Sequence, residues 1–224
     1  MKGKISLACF SLVIVILFAM GTNFRMHLST RLADETQESK RIVSFFTKEH
    51  AWIIENYGKA LIRESKYILE VEATGKHQYV GGKLAQQVSF CKTIKGDFDE
   101  NKLKDTIYVM GSGWIEDATI GKVSTGFVNY MQKGDHYVVF VSRVYDVCNQ
   151  NASIINANSD LMGFRYLNLT SDKSYAVNTK KATIPYEKVA KSEFIVNDEK
   201  TLQKIKQFKY GVFEKLHLDY VKEN

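Results

Sequence analysis

The stretch "KGDHYVVFVSRVYDV", Lys133 to Val147, decides the fold class of this chain. Lys133, Gly134 and Asp135 have the composition of a tight turn, because glycine reaches backbone angles that other residues avoid. The run that follows is rich in valine and aromatic residues, which are the residues enriched in β-strands. The stretch therefore predicts a turn that leads into one long strand.

Further strands are predicted on both sides of this stretch. They are "KYILEVEAT" from Lys66, "KLAQQVSFCKTIKGD" from Lys83, "DTIYVMGSG" from Asp105, and the fainter "LMGFRYLNL" and "KSYAVNT". In the second stretch, one predicted face carries Leu84, Val88, Phe90 and Ile94, and the other carries Ala85, Gln87, Ser89, Cys91 and Thr93. Such alternation is typical of half-buried strands.

Helices are predicted at both ends of the strand region. After the acidic start at Asp198, a stripe of Leu202, Ile205, Phe208, Val212 and Leu216 predicts a C-terminal helix over 198–224. Before the strands, the polar segment 25–64 predicts a helical stalk, with an apolar stripe of Ile42, Phe46, Ile53, Tyr57 and Leu61. The fold class is therefore mainly β with flanking helices. A small closed β-barrel is the economical arrangement, because closure leaves no strand edge exposed.

The first 24 residues predict a membrane segment. Ile5 to Met20, which includes "SLVIVILFAM", carries no charge and follows Lys2 and Lys4. A positive start before an apolar run places the amino terminus inside the cell and sends the rest of the chain outward. We expect a single-pass cell-membrane protein with domains at 1–24, 25–64, 65–197 and 198–224. The alternative is cleavage near Gly21, which would release a secreted protein.

Four stretches carry a resemblance: "ALIRESKYILEVEATGK", "VSFCKTIKGD", "TIYVMGSG" and "MQKGDHYVVFV". In this order they resemble the OB-like barrel modules of exported Gram-positive bacterial proteins, over about Ala60 to Thr179. More distantly, they resemble the netrin-like domains that include the tissue inhibitors of metalloproteinases. The resemblance implies an OB-like β-barrel with a helix beside it. It implies no inhibitory activity, because those inhibitors use a free N-terminal cysteine and this chain begins with an apolar segment.

Composition and motifs exclude several functions. The 31 Lys and Arg residues against 25 Asp and Glu are spread along the chain, so no nucleic-acid partner is expected. The five histidines lack the spacing of a zinc motif, and no serine-nucleophile or phosphate-loop motif is present, so no metal and no cofactor is predicted. We expect a binding module for a protein or an envelope polymer. Its candidate ligand-binding aromatic residues, near the loop 111–125, are Tyr108, Trp114, Tyr130 and Tyr137.

The cysteines outside the apolar segment allow two interpretations. Cys91 and Cys148 either form a disulfide, which would close a loop of about 58 residues and add about 4 kcal/mol of stability, or remain free thiols. The order of His77 or His136, then Cys148, then Arg165 is similar to that of sortase transpeptidases, so a cell-surface cysteine enzyme is the alternative function. Against it, "RVYDVC" stands where sortases have Thr-Leu-x-Thr-Cys, and Asp146 would raise the pKa of the thiol.

Overall fold

A computed structural model describes residues 42–44, 60–80, 83–110, 115–117, 122–124, 128–146, 151–157, 164–176, 183–196 and 198–222. The chain divides into two compact units, Met1–Gln37 and Glu38–Asn224, and all described residues belong to the second. The predicted membrane segment 1–24 and most of the predicted stalk lie outside the described residues. In the ranges given above, no helix has the length and apolarity needed to cross a membrane.

The described residues form strands and one long helix. The strands are β1 Ile42–Ser44, β2 Tyr67–Val80, β3 Lys83–Lys95, β4 Thr106–Met110, β5 Ile115–Asp117, β6 Lys122–Ser124, β7 His136–Asp146, β8 Ala152–Ala157, β9 Tyr166–Asn168, β10 Tyr175–Ala176, β11 Thr183–Pro185 and β12 Ile195–Val196. The long helix is α1, Glu199–Lys215, and residues 60–64 are also helical. Single turns of 3-10 helix occur at Glu100–Lys102 and Tyr186–Lys188. The prediction of a mainly β protein with a C-terminal helix is confirmed.

The main sheet has six strands in the order β2-β3-β4-β8-β7-β9. Its pairs are antiparallel except β4 with β8, which run parallel. The long strand β7 also pairs with β2, where Tyr67 lies opposite Val141 and Glu72 lies opposite His136. Successive pairing thus joins β2, β3, β4, β8 and β7 and returns to β2, in a closed circuit of five strands.

The turn after β3 ties that strand to the helical turn before β2. Gly96 has a φ of +91°, and a Cβ atom at this position would lie 2.7 Å from the carbonyl oxygen of Lys66. Only glycine fits such a close approach with that backbone angle. The neighbouring Lys95 donates from Nζ to the carbonyls of Ile62 at 2.6 Å and Ser65 at 3.0 Å. These bonds cap the last carbonyl groups of helical residues 60–64.

The predicted stalk helix is wrong at Ile42–Ser44, which form strand β1. This strand pairs in parallel with Lys122–Ser124 and antiparallel with Thr183–Pro185, in a second sheet ordered β11-β1-β6-β5. Its first two residues are β-branched, a type enriched in strands, and pairing with partners distant in sequence overrides local helical periodicity. A third sheet contains β10 and β12 alone.

The helix α1 closes the core of the main sheet. Asp198 begins it by accepting a hydrogen bond at Oδ1 from the backbone nitrogen of Thr201, at 2.8 Å. The buried face of α1 and the inner residues of the strands belong to one hydrophobic cluster, which includes Ile68, Leu69, Phe140, Phe194, Leu202, Ile205 and Phe213. The predicted stripe is confirmed, since Leu202, Ile205 and Val212 are buried and Phe208 and Leu216 are partly buried against the same cluster. Each such side chain contributes about 1.5 to 3 kcal/mol by burial.

Candidate functional site

A cavity of about 480 Å³ lies between the main sheet and the chain segment that follows α1. The strands contribute Glu70, Lys92 and His136 to its wall. The remaining wall comes from the segment after β9 and from the C-terminal tail, namely Leu169, Thr170, His217, Leu218, Asp219, Tyr220 and Val221. We call this cavity the tail cleft. It combines two carboxylates, two imidazoles and an ammonium group with apolar side chains, which is a composition typical of binding sites.

A β-bulge places Cys91 beside this cleft. Glu70 lies opposite Lys92 in the β2–β3 register, whereas the next residue of β2, Val71, lies opposite Phe90. Cys91 is therefore an extra residue without a Cα partner in that register. A bulge sets two residues of one strand opposite a single residue of the other and redirects a side chain. It brings the thiol of Cys91 to the neighbourhood of Glu70.

The β2–β7 pairing adds His136 to the same place. His136 lies opposite Glu72, two residues along β2 from Glu70. Because side chains alternate along a strand, Glu70, Glu72 and His136 point to one face of the sheet. His136 Nδ1 lies 2.9 Å from Glu70 Oε1 and 4.0 Å from Cys91 Sγ. These three side-chain atoms all lie within 4.8 Å of one another, and we call Glu70, Cys91 and His136 the open cluster.

The charges around the open cluster favour an ionised glutamate and a protonated thiol. Partial burial raises the pKa of Glu70, but the hydrogen bonds from His136 and Lys92 outweigh burial, so the pKa lies below its ordinary value. Lys92 Nζ lies 3.1 Å from Glu70 Oε2. Burial raises the pKa of the Cys91 thiol, and the carboxylates of Glu70 and Glu72 raise it further. At neutral pH the thiol of Cys91 is therefore largely protonated.

This geometry does not fit a nucleophilic cysteine. A catalytic histidine takes the proton of the nucleophile at one ring nitrogen and is oriented through the other. In the open cluster, Glu70 and Cys91 both approach Nδ1 of His136. A nucleophilic cysteine also needs a lowered pKa, whereas that of Cys91 is raised. In the open cluster, three donor atoms lie close enough together to contact the same bound group, and this arrangement fits binding.

A second cavity, of about 560 Å³, lies beside β7 and the 3-10 turn Glu100–Lys102. Four of its charged residues form two ion pairs across its wall. Lys104 Nζ lies 3.4 Å from Asp146 Oδ2, and Lys102 Nζ lies 3.4 Å from Asp99 Oδ2. None of its lining residues belongs to the open cluster, whereas Glu70 and His136 line the tail cleft. The tail cleft is therefore the stronger candidate site.

The predicted aromatic surface is wrong for Tyr130 and Tyr137. These side chains are 7% and 2% exposed. The hydroxyl of Tyr137 accepts a hydrogen bond from the backbone nitrogen of Gln132 at 2.7 Å, so it serves the interior. Tyr108 is half-buried on β4, and Trp114 lies outside the described residues.

The residues of the transpeptidase alternative have separate surroundings. His77 stacks on Tyr130 with ring centres 5.9 Å apart, His136 belongs to the open cluster, and the carbonyl of Arg165 accepts a hydrogen bond from the nitrogen of Phe140. Cys148 lies outside the described residues, so this alternative stays a prediction. Within the described residues Cys91 is exposed and forms no disulfide. The predicted disulfide with Cys148 likewise stays a prediction.

Sequence analysis missed the open cluster, since it predicted no metal site. Sequence separations of 66 residues from Glu70 to His136 and 45 from Cys91 to His136 form no motif. One local signal for the bulge exists. Cys91 and Lys92 are consecutive residues and both are exposed, which breaks the alternation of the strand as a bulge does.

Comparison with known proteins adds no relative. A scan against protein-family models finds no match, and a search of curated proteins finds no similar sequence.

Proposed function

We propose that this protein is a membrane-anchored extracytoplasmic binding module, built on an OB-like β-barrel, that holds its ligand in the tail cleft without chemical conversion. The partner is a protein or a cell-envelope polymer, reached from the outer face of the membrane. The observation that carries this proposal is the open cluster, where a carboxylate, an imidazole and a thiol converge at a cleft in a non-nucleophilic arrangement.

The strand pairing supports the OB-like part of the proposal. An OB-like barrel has five strands that close on themselves, and its ligands bind on the strand face and adjoining loops. The circuit β2, β3, β4, β8 and β7 has five members and returns to its start through the β2–β7 pairing. Its β2 and β3 strands carry Glu70, Cys91 and Lys92. Two strands of this circuit therefore provide one wall of the tail cleft, through Glu70 and Lys92.

Exposure of Cys91 offers a direct test of the extracytoplasmic location. A membrane-impermeant maleimide added to intact cells should label the full chain at Cys91, because this thiol is exposed and free. The protein tested carries Cys148→Ser, so that the label reports on Cys91. The control carries Cys91→Ser in addition and should not be labelled. Labelling only after the cells are opened would contradict an outward-facing domain.

Site-specific photo-crosslinking tests the binding role. A photoreactive amino acid at Asp219, which is exposed at the rim of the tail cleft, should give a discrete adduct in living cells. The matched control places the same amino acid at Lys200, which is exposed on the first turn of α1 and does not line the cleft. Adducts that are absent, or identical from both positions, would contradict ligand binding in the tail cleft.

A further inference from the structure

We propose that Glu70, Cys91 and His136 form a binding site for one divalent transition-metal ion of the zinc class, with its fourth coordination position open to the tail cleft. The inference rests on the proposed binding role of that cleft and adds that a metal ion forms part of the binding site. The three ligand atoms are Glu70 Oε1, Cys91 Sγ and His136 Nδ1.

The donor set selects the class of metal. Zn²⁺ is bound in proteins by cysteine sulfur, histidine nitrogen and carboxylate oxygen, and the open cluster offers one of each. Mg²⁺ and Ca²⁺ require oxygen ligands, of which this cluster supplies one residue. A thiolate beside an imidazole favours the softer end of the first transition row. The expected ion is therefore Zn²⁺, with Co²⁺ as a spectroscopic substitute.

The distances fit a tetrahedral ion after small side-chain movements. Metal–ligand bonds of about 2.0 to 2.3 Å at tetrahedral angles separate the ligand atoms by about 3.4 to 3.6 Å. The observed separations are 2.9 Å from His136 Nδ1 to Glu70 Oε1 and 4.0 Å from His136 Nδ1 to Cys91 Sγ. Each of these two pairs must shift by about half an ångström, and the third pair, Glu70 Oε1 and Cys91 Sγ, which lie within 4.8 Å of each other, by at most about 1.3 Å. Rotation about side-chain bonds provides such a shift without moving the strands.

The charges are also balanced. The carboxylate of Glu70 accepts the hydrogen bond at His136 Nδ1, so a bound ion takes the place of that proton. His136 then carries its proton on Nε2, and Cys91 releases its proton to solvent as it binds. Two negative ligands and one neutral imidazole neutralise a divalent ion. The positive charge of the metal stabilises the thiolate form of Cys91, which is little populated without metal.

Lys92 and the bulge hold the ligands in place. Lys92 contacts Oε2 of Glu70, which leaves Oε1 directed toward His136. Contacts of this kind, which orient a ligand without touching the metal, tune affinity. The register shift at Cys91 directs its sulfur toward the same point. Three ligands arranged in this way leave one position for water or for an anionic group of the ligand, which Lys92 would also attract.

Calorimetric titration of the purified full chain in detergent with Zn²⁺, in the presence of a non-thiol reductant, tests the site. One equivalent should bind. The Cys91→Ser and Glu70→Gln variants should weaken binding by at least about tenfold. The matched controls are Cys148→Ser, which removes another thiol, and Glu100→Gln, which removes an exposed carboxylate outside the tail cleft. Both controls should bind within about twofold of the unsubstituted protein, and circular dichroism checks that each variant is folded.

Titration with Co²⁺ adds a readout that reports on the sulfur itself. Binding should produce a thiolate-to-cobalt absorption band that Cys91→Ser abolishes and Cys148→Ser retains. Failure of the unsubstituted chain to bind Zn²⁺ overturns the metal site, and so does binding by Cys91→Ser and Glu70→Gln that is as tight as binding by the unsubstituted chain. An Asp219 crosslink without metal binding leaves the proposed function standing and refutes this inference alone. Metal binding without an Asp219 crosslink supports the metal site and contradicts the proposed function.

Discussion

Two clusters among the described residues combine carboxylate groups with nitrogen bases, and they differ in how far they are enclosed. Beneath α1, Asp172, Glu193 and Lys209 form the helix cluster, in which the Lys209 and Asp172 side chains are fully buried. Lys209 Nζ donates to Glu193 Oε2 at 2.5 Å and to the carbonyl of Ser171 at 2.8 Å. In the open cluster, Cys91 is exposed, and the His136 side chain is 36% exposed.

Enclosure decides what each cluster does. In the helix cluster, Asp172 Oδ2 also accepts hydrogen bonds from Lys206 and from the hydroxyl of Tyr210, so the polar groups satisfy one another inside the fold. A buried charge that lost its partner would be costly. The open cluster brings similar groups to the wall of a cavity, where a ligand can replace their mutual contacts. The helix cluster is therefore structural, and the open cluster is the proposed binding site.

Breaking the helix cluster should have the largest effect on stability. Lys209→Met removes the cation that faces Glu193 and Asp172 and leaves two carboxylates buried. The free energy of unfolding should fall by about 3 to 5 kcal/mol. Urea unfolding followed by circular dichroism measures it. The control is Lys104→Met, which breaks an exposed ion pair with Asp146 and should cost less than about 1 kcal/mol. Equal losses in the two variants would remove the distinction between enclosed and open charges.

Stability should also depend on pH through Glu193. Burial raises the pKa of this carboxyl from 4.5 to about 7, even though Lys209 and the backbone nitrogen of Asn168 favour its ionised form. The folded state therefore binds an additional proton between these values. The contribution of Glu193 to stability is full below pH 4.5 and is lost as the pH rises through about 7.

Unfolding free energies measured from pH 4.5 to 7.5 test this dependence. The decrease attributable to Glu193 should disappear in Glu193→Gln and persist in Glu199→Gln, which removes an exposed carboxylate of α1. A curve of unchanged slope in Glu193→Gln would show that the helix cluster does not bind the extra proton.

Substitution in the open cluster should have the smallest effect. Cys91→Ser changes an exposed side chain at a bulge, and it should alter the free energy of unfolding by no more than about 0.5 kcal/mol in the absence of metal. Thermal and urea unfolding both measure this change. A fall of several kcal/mol in the free energy of unfolding would mean that Cys91 stabilises the fold. The open cluster would then be structural, like the helix cluster.

Sequence patterns predicted the elements better than their partners. The alternation in β3 and the stripe in α1 follow from local periodicity. Strand β3 occurs at its predicted position, and α1 begins where it was predicted but ends at Lys215 instead of 224. Periodicity does not reveal strand partners, so the β1 strand at Ile42–Ser44 was predicted as helix. A continuous apolar run likewise hides which face is buried. For this reason Tyr137, on β7, was predicted to be exposed although it lies in the core.

The open cluster was beyond prediction for the same reason. It needs the β2–β7 pairing to bring His136 near Glu70, and it needs a one-residue register shift to redirect Cys91. A one-residue shift changes which face a side chain occupies, and the shift depends on the assembled sheet. Cys91 was therefore considered as a disulfide partner, and His136 as a member of a different catalytic set.

Anomalous diffraction at the zinc absorption edge, from crystals of the full chain grown with Zn²⁺, tests the central claim most directly. We predict one anomalous peak within bonding distance of Glu70 Oε1, Cys91 Sγ and His136 Nδ1, with the helix cluster unchanged. A peak bound elsewhere, or no peak at a zinc concentration that saturates solution binding, would contradict the assignment of the open cluster as the metal-binding site.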